Sequence, residues 1–313
     1  AHGGKSWEYP WQSTFWAATL AHGGWILWDD RDPPTRRKLC ESVEYEANRF
    51  LAPGYRVPYW NGRDGNTRAE ENAWGSMIFR VACAMMPGHP NVPRWKEVCS
   101  KLMVSAYALK EDMRSETVLD GRAVKDWLDG YNVRKDGAVI NHSRLHPDYM
   151  TVVFLNLRAN LTQSLVGQPV PEAADFRAEF IYRTLATRNW PSPPYEQPGG
   201  TIFVPGSAEV YYPQGTDWDK CRVVTYYRLD VCAHIFGWDR GLPHPASHWM
   251  RLRADEILAR QSRHPDGHIY GVGEFERLVP REQDAVWLLT DCFLLQWLHA
   301  RRALSPKGNW LTQ

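Results

Sequence analysis

The sequence predicts an all-α chain folded as an (α/α) toroid, an incomplete barrel of about four to five helical hairpins. Apolar residues recur with helical spacing through nearly the whole chain. The predicted helices cover residues 10–29, 33–51, 67–87, 93–113, 147–166, 171–189, 221–239, 245–263 and 281–304. The first eight pair into four hairpins and the ninth is single, so we expect inner and outer helices to alternate around the ring.

Residues that favour helix starts and helix ends occur at these predicted bounds. Pro33-Pro34 occupies a first turn, where proline is tolerated, and Pro87-Gly88 ends the third helix. Thr67 and Glu70 have the spacing of a capping box, in which each side chain bonds a backbone N–H group of the first turn. The third helix is therefore predicted to begin at Thr67.

The remaining sequence predicts one domain over residues 1–313. No long linker or low-complexity tract divides the chain. Strand-like sequence is confined to loops, as at residues 201–204 and 209–212, so short β segments are expected there. The 6 cysteines are dispersed rather than densely spaced, which predicts buried thiols and not a disulfide framework.

Composition excludes several classes of function. The chain carries 37 Lys and Arg residues against 36 Asp and Glu, a formal charge of +1. Nucleic acids and anionic membranes are held by an excess of basic residues, so neither is an expected partner. The most apolar run, residues 11–28, is too short and too interrupted to span a bilayer.

Polar and aromatic side chains cluster where the odd-numbered helices begin. In a toroid these amino-terminal ends face one rim, so we expect the clusters to meet around a single site. Indole rings also stack on sugar rings, and the chain has 16 Trp residues. The clustered residues are Glu70, Glu71, Trp74, Asn141, His142, His146, Asp148, Tyr149, Tyr211, Tyr212, Asp217, Trp218 and Arg222.

These residue types suit β-elimination at a uronic acid. Such a reaction needs a donor that neutralises the carboxylate, a base that removes the neighbouring proton and an acid that protonates the leaving oxygen. Asn or Arg can do the first, His or a deprotonated Tyr the second, and a Tyr hydroxyl the third. Each type is present at the predicted rim.

Asn141-His142 before a helix in an all-helical chain, followed by a loop tyrosine, resembles the toroid polysaccharide lyases of the alginate lyase and heparinase II/III type. The resemblance places the family's Asn and His on Asn141 and His142, and its Tyr on Tyr212 or Tyr211, with Tyr195 as a further candidate. It implies a catalytic toroid, either alone or as part of a longer chain.

We therefore predict a lyase that acts on an acidic polysaccharide or oligosaccharide. His142 is the predicted base, Tyr212 or Tyr211 the acid, and Asn141 with Arg222 the carboxylate binders. The predicted groove is lined by Glu70, Glu71, Trp74, His146, Asp148, Tyr149, Asp217 and Trp218. A polymeric substrate favours export, so a secreted or periplasmic protein is expected.

Two alternatives remain open. An inverting glycoside hydrolase would use carboxylate pairs from Glu70 or Glu71, Asp148, Asp217, Glu282 and Asp284. A non-catalytic toroid would only stack sugar on Trp7, Trp11, Trp74 and Trp218. No cofactor or metal is predicted, because motifs such as His-Glu-x-x-His are missing and His264, Asp266 and His268 fit a turn.

Overall fold

The computed structural model describes residues 12–51, 66–191, 199–217, 222–270 and 281–312. It is mostly helical, with 58% helix, which confirms the predicted helical class. The helices are α1 Ser13–Ile26, α2 Pro33–Arg49, α3 Ala69–Met85, α4 Val92–Tyr107, α5 Val124–Trp127, α6 Pro147–Thr151, α7 Phe154–Ser164, α8 Ala178–Thr187, α9 Val223–Phe236, α10 Ala246–Gln261 and α11 Arg281–Ala300.

Within the described ranges, eight two-residue strands form four small sheets. They are β1 Val118–Leu119, β2 Arg122–Ala123, β3 Ile140–Asn141, β4 Arg144–Leu145, β5 Val170–Pro171, β6 Asn189–Trp190, β7 Gly200–Thr201 and β8 Lys307–Gly308. Strands β1 and β2, β3 and β4, and β6 and β7 pair antiparallel, whereas β5 and β8 are parallel. The expected short β segments in loops are thus confirmed.

Three predicted helices differ most from the observed ones. The predicted helix 147–166 is divided into α6 and α7, because β-branched side chains at Thr151, Val152 and Val153 disfavour a continuous helix. The predicted helix 171–189 begins only at Ala178. The predicted helix 93–113 ends at Tyr107 and is followed by a short 3₁₀ turn.

The helices that were predicted as odd-numbered pack against one another. Helix α1 contacts α3, α3 contacts α7, α7 contacts α9 and α11, and α9 contacts α11. The rings of Phe15 in α1 and Trp287 in α11 lie 5.4 Å apart, so the last of these helices also lies close to the first. In addition, α2 contacts α1 and α3, α4 contacts α3, and α10 contacts α9. In three of the predicted hairpins, the two helices therefore contact each other.

Buried ion pairs stabilise the helix packing. Arg253 of α10 donates to Asp230 of α9, and both side chains are fully buried. The hydroxyl of Tyr182 in α8 also donates to Asp230, at 3.1 Å. The Arg253 guanidinium carbon lies 3.9 Å from the centre of the Phe203 ring, so the charge also has a cation–π partner. One carboxylate thereby links three helices.

Other sequence predictions concern the thiols and membrane association. The described cysteines are unpaired, and Cys83, Cys99, Cys232 and Cys292 are buried, as predicted. Cys221 lies outside the described residues. Within the described ranges, no helix combines the length and hydropathy that crossing a membrane requires.

Removing Asp230 should destabilise the chain strongly. We expect Asp230→Ala to lower the free energy of unfolding by about 3–5 kcal/mol, because Arg253 would remain buried without its carboxylate. Denaturant unfolding followed by circular dichroism measures this change. Glu116→Ala is the control, since Glu116 pairs with Lys125 at the surface and such pairs contribute about 0–1 kcal/mol. Equal losses in the two variants would contradict the assigned role of Asp230.

Candidate active site

The turn between β3 and β4 places His142 at the site. Asn141 pairs with Arg144 across the hairpin, which leaves His142 and Ser143 as its two turn residues. Both have positive φ angles, +50° for His142 and +61° for Ser143. Two-residue hairpin turns of this kind favour Gly and Asn, so a histidine and a serine here carry backbone strain. Strain of this sort is concentrated at functional sites.

Buried hydrogen bonds connect this turn to the start of α3. The Asn141 side-chain nitrogen donates to Glu70 Oε1 at 2.7 Å, and the Asn141 side-chain oxygen accepts the His142 backbone N–H at 2.8 Å. The Thr67 backbone N–H donates to the Ile140 carbonyl at 2.8 Å. Asn141 is almost fully buried, so it holds the turn in place from behind.

Glu70 therefore has a different role from the one predicted for it. The capping-box prediction is wrong: α3 begins at Ala69, and the described contacts at this helix start include no side-chain cap. Burial raises the pKa of Glu70 to about 8, although the hydrogen bond from Asn141 opposes the shift. Glu70 is thus protonated at neutral pH, and the turn is fixed by a neutral carboxyl group.

Asp217 bridges two histidines beside the turn. One carboxylate oxygen contacts His142 Nδ1, and the other lies 3.0 Å from His146 Nε2. Burial favours the protonated acid, but the hydrogen bonds from His142 and His146 outweigh it and lower the pKa of Asp217 to about 2. An ionised carboxylate needs a proton on each nitrogen that it contacts. In a neutral imidazole, Nδ1 of His142 would therefore carry the hydrogen, and Nε2 would keep its lone pair.

Tyr149 lies on the other side of the His142 ring. Its hydroxyl oxygen is 3.3 Å from His142 Nε2, and Tyr149 is held in the short helix α6. Burial, together with the acidic groups of Glu70 and Asp217, raises the pKa of Tyr149 well above its usual value. The hydroxyl is therefore protonated at neutral pH. Asp217, His142 and Tyr149 form a hydrogen-bonded series, which we call the relay.

The relay opens onto a cavity of about 450 Å³, a volume typical of small-ligand sites. Besides Tyr149, five aromatic side chains line the cavity together with aliphatic, polar and charged residues. The aromatic residues are Phe15, Trp74, Phe154, Tyr270 and Trp287. The polar residues are Gln12, His142, Asp148, Tyr149, Thr151, Arg222, Thr225 and Asp284. These residues come from six helices and the segments next to them.

A second group of hydrogen bonds lies behind the cavity. Asp148 Oδ1 accepts from the hydroxyls of Tyr212, at 2.8 Å, and Tyr226, at 2.9 Å. Burial and the adjacent Asp148 raise the pKa of both tyrosines well above the usual value. Tyr212 and Tyr226 line a separate cavity of about 250 Å³, which shares Arg222 with the first.

The predicted site residues therefore fall into distinct groups. Those that line the main cavity are Trp74, His142, Asp148, Tyr149 and Arg222. Asn141, Asp217 and Tyr212 form hydrogen bonds with members of this group. Glu70 and His146 in turn bond Asn141 and Asp217. Glu71 pairs with Arg68, and Tyr211 bonds the Ile202 carbonyl through its backbone. Trp218, Trp7, Trp11 and Tyr195 lie outside the described residues.

Several cavity residues were missed by the sequence reasoning. Phe15 and Phe154 sit within helical apolar stripes, where a cavity-lining ring has the same pattern as a core ring. Trp287 belongs to a segment, Glu282 to Trp287, that echoes Glu70 to Trp74 at another helix start. That echo is a signal that could have identified Trp287, because Trp74 and Trp287 both line the cavity.

Comparison with protein-family models, with curated proteins and with solved structures gave no match to this chain. Any assignment of function therefore depends on the chemistry of the site itself.

Glu70→Gln should reduce the pH dependence of stability. Between about pH 4.5 and 8 the folded chain retains the Glu70 proton that the unfolded chain releases. This contribution is complete at the acidic end and lost as the pH rises through that range. From about pH 5 to 7, the wild-type protein should lose roughly 2 kcal/mol more stability than the variant. Thermal melts at both pH values test this, with the exposed Glu111→Gln as the unaffected control. Parallel behaviour of wild type and Glu70→Gln would contradict a protonated Glu70.

Ser143→Gly should stabilise the chain. Glycine adopts positive φ without steric cost, so we expect a gain of about 0.5–1 kcal/mol in the free energy of unfolding. Ser42→Gly, at an exposed position inside α2, should instead lose a similar amount. Denaturant titrations of the two variants measure these opposite changes. A loss of stability in Ser143→Gly would contradict strain at the turn.

Proposed function

We propose that the chain is a polysaccharide lyase that cleaves a uronic-acid-containing polysaccharide by β-elimination. The observation that carries this proposal is the 3.3 Å separation of His142 Nε2 and the Tyr149 hydroxyl at the wall of a cavity that Arg222 also lines. A base, an acid and a cation thus meet at one cavity.

Arg222 is the group proposed to neutralise the uronate carboxylate. It lies at the start of α9 and contributes to the cavity wall, where its guanidinium can pair with a carboxylate. Neutralising the carboxylate makes the hydrogen on the adjacent carbon more acidic, because the enolate-like charge is then stabilised. Asn141 was predicted to share this role, but its bonds to Glu70 and His142 make it a positioning residue in this proposal.

His142 is the proposed base and Tyr149 the proposed acid. His142 Nε2 removes the proton next to the carboxylate, the C–H electrons form the new double bond, and the glycosidic C–O bond breaks. Tyr149 gives its proton to the leaving oxygen. The ionised Asp217 stabilises the imidazolium that forms on His142.

In this proposal the relay also returns His142 and Tyr149 to their starting protonation states after each reaction. After elimination, His142 holds an extra proton and Tyr149 lacks one. Because the pKa of Tyr149 is raised, its phenolate is a strong base and recovers the proton from His142 Nε2 across 3.3 Å. The base and the acid adjoin each other, which suits removal of a proton and an oxygen from neighbouring carbons on one face of the sugar.

We further infer that α1, α3, α7, α9 and α11 are the inner helices of an incomplete (α/α) toroid and that α2, α4, α8 and α10 lie outside them. The helix contacts and the Phe15–Trp287 ring contact support this arrangement. The cavity would then lie at the mouth of the ring. In this proposal the chain acts as one catalytic domain on a polymer outside the cytoplasm.

One observation favours a glycoside hydrolase as a second candidate. Asp148 and Asp284 both line the cavity and come from different helices, as the acid and base of an inverting enzyme would. Asp148 Oδ1 already accepts two tyrosine hydroxyls, which makes this carboxylate less accessible than His142. We therefore place the lyase first.

The lyase proposal predicts a specific product and specific losses. Digestion of a panel of uronic-acid polymers, such as alginate and polygalacturonate, should generate the ultraviolet absorbance of an unsaturated uronate. His142→Ala and Tyr149→Phe should each lower kcat by about 10²–10⁴-fold, because each removes an acid–base group. Their helical circular dichroism should be unchanged. Tyr45→Phe, at an exposed tyrosine, is the matched control and should be fully active.

The other outcomes identify the competing functions. New reducing ends without the absorbance, lost in Asp148→Asn or Asp284→Asn, would indicate hydrolysis. Sugar binding without either product would indicate a carbohydrate-binding protein. Activity that survives in Tyr149→Phe but not in Tyr212→Phe would assign the acid to Tyr212. Near wild-type turnover in both His142→Ala and Tyr149→Phe would remove the mechanism.

A further inference from the structure

Three side chains that could bind a metal ion converge at the Asp217 end of the relay. His142 and His146 are four residues apart in the hairpin segment, and Asp217 reaches them from a later loop. The ligand atoms that they offer all lie within 4.8 Å of one another. The facing atoms are His142 Nδ1, His146 Nε2 and the two Asp217 oxygens, one toward each ring.

This spacing is close to that of a zinc site. Zinc bonds to histidine nitrogen and carboxylate oxygen are about 2.0–2.2 Å long, which sets tetrahedral ligand atoms roughly 3.4 Å apart. His146 Nε2 and Asp217 Oδ1 are 3.0 Å apart, so an ion needs only a small outward shift of these groups. Two histidines and one carboxylate, with a further position open, also form a common catalytic-type donor set.

The surroundings of the three groups fit a metal site as well. The side chains of His142 and Asp217 are 40% and 33% exposed, so an ion can enter, whereas His146 is fully buried and fixed in place. Metal-bound histidines usually donate their other N–H to a nearby acceptor. With a metal on Nδ1, His142 Nε2 would carry the hydrogen and face the Tyr149 hydroxyl oxygen at 3.3 Å.

We propose that His142, His146 and Asp217 bind a divalent transition metal ion of the zinc class. A metal on Nδ1 breaks the contact with Asp217 and moves the imidazole proton to Nε2, where the lone pair needed for proton abstraction is lost. The metal-bound chain is therefore inhibited in β-elimination. The inhibitory part rests on the proposed function, whereas the binding part stands on geometry alone.

Metal binding is tested without reference to activity. Chelator-treated protein is titrated with zinc chloride by calorimetry, and with cobalt(II) chloride by visible absorption, which reports nitrogen and oxygen ligands directly. We expect one site per chain. His146→Ala and Asp217→Asn should each weaken zinc binding by at least about 10–100-fold. His268→Ala is the matched control, because His268 forms an exposed histidine–aspartate pair with Asp266, and its affinity should equal that of wild type.

The outcomes separate this proposal from the proposed function. Zinc affinity in wild type no tighter than in His146→Ala would overturn the metal site. Metal binding by a chain without lyase activity would leave the site standing and remove the proposed function. If the metal-free chain is active and its turnover falls in proportion to added zinc occupancy, the result supports both the metal site and the proposed function. Turnover that rises with zinc occupancy would overturn the inhibitory role.

Discussion

The hydrogen bond between Asn141 and Glu70 is the constraint on which the rest of the site depends. It attaches a two-residue turn, with both residues at positive φ, to the first turn of a core helix. Without this attachment the turn could relax and His142 would no longer face the cavity. The chain thus stores strain in the hairpin and offsets it with buried hydrogen bonds around Asn141. His142 can then meet Asp217 on one side and Tyr149 on the other.

Three carboxyl groups near the cavity have different roles because their partners differ. Glu70 is buried, and desolvation raises its pKa to about 8, so it serves as a neutral hydrogen-bonding group. Asp217 is more exposed and contacts two imidazoles, which hold it ionised. Asp148 accepts two tyrosine hydroxyls and anchors the wall between the two cavities. Glu70 therefore positions the turn, Asp217 supplies a negative charge and Asp148 anchors two tyrosines. Burial and hydrogen-bond partners distinguish these three carboxyl groups.

Much of the helical fold, and part of the candidate site, could be predicted from the sequence. Helical periodicity located the long helices, and the polar clusters at helix starts identified His142, Tyr149 and Arg222 as neighbours of one cavity. Which tyrosine faces His142 could not be read from the sequence, because side-chain direction in loops depends on tertiary packing. Tyr212 points toward Asp148, whereas Tyr149, in the same short helix as Asp148, faces His142. Glu70 was misassigned because a capping-box spacing does not reveal a distant partner such as Asn141.

The most direct test of the account is a crystal structure of the Tyr149→Phe variant soaked with a short uronic-acid oligosaccharide. We predict a sugar carboxylate paired with the Arg222 guanidinium, and the hydrogen-bearing carbon beside that carboxylate facing His142 Nε2. The aromatic side chains of the cavity should contact the sugar rings. An oligosaccharide bound with its carboxylate away from Arg222, or outside the cavity that His142 lines, would contradict the account.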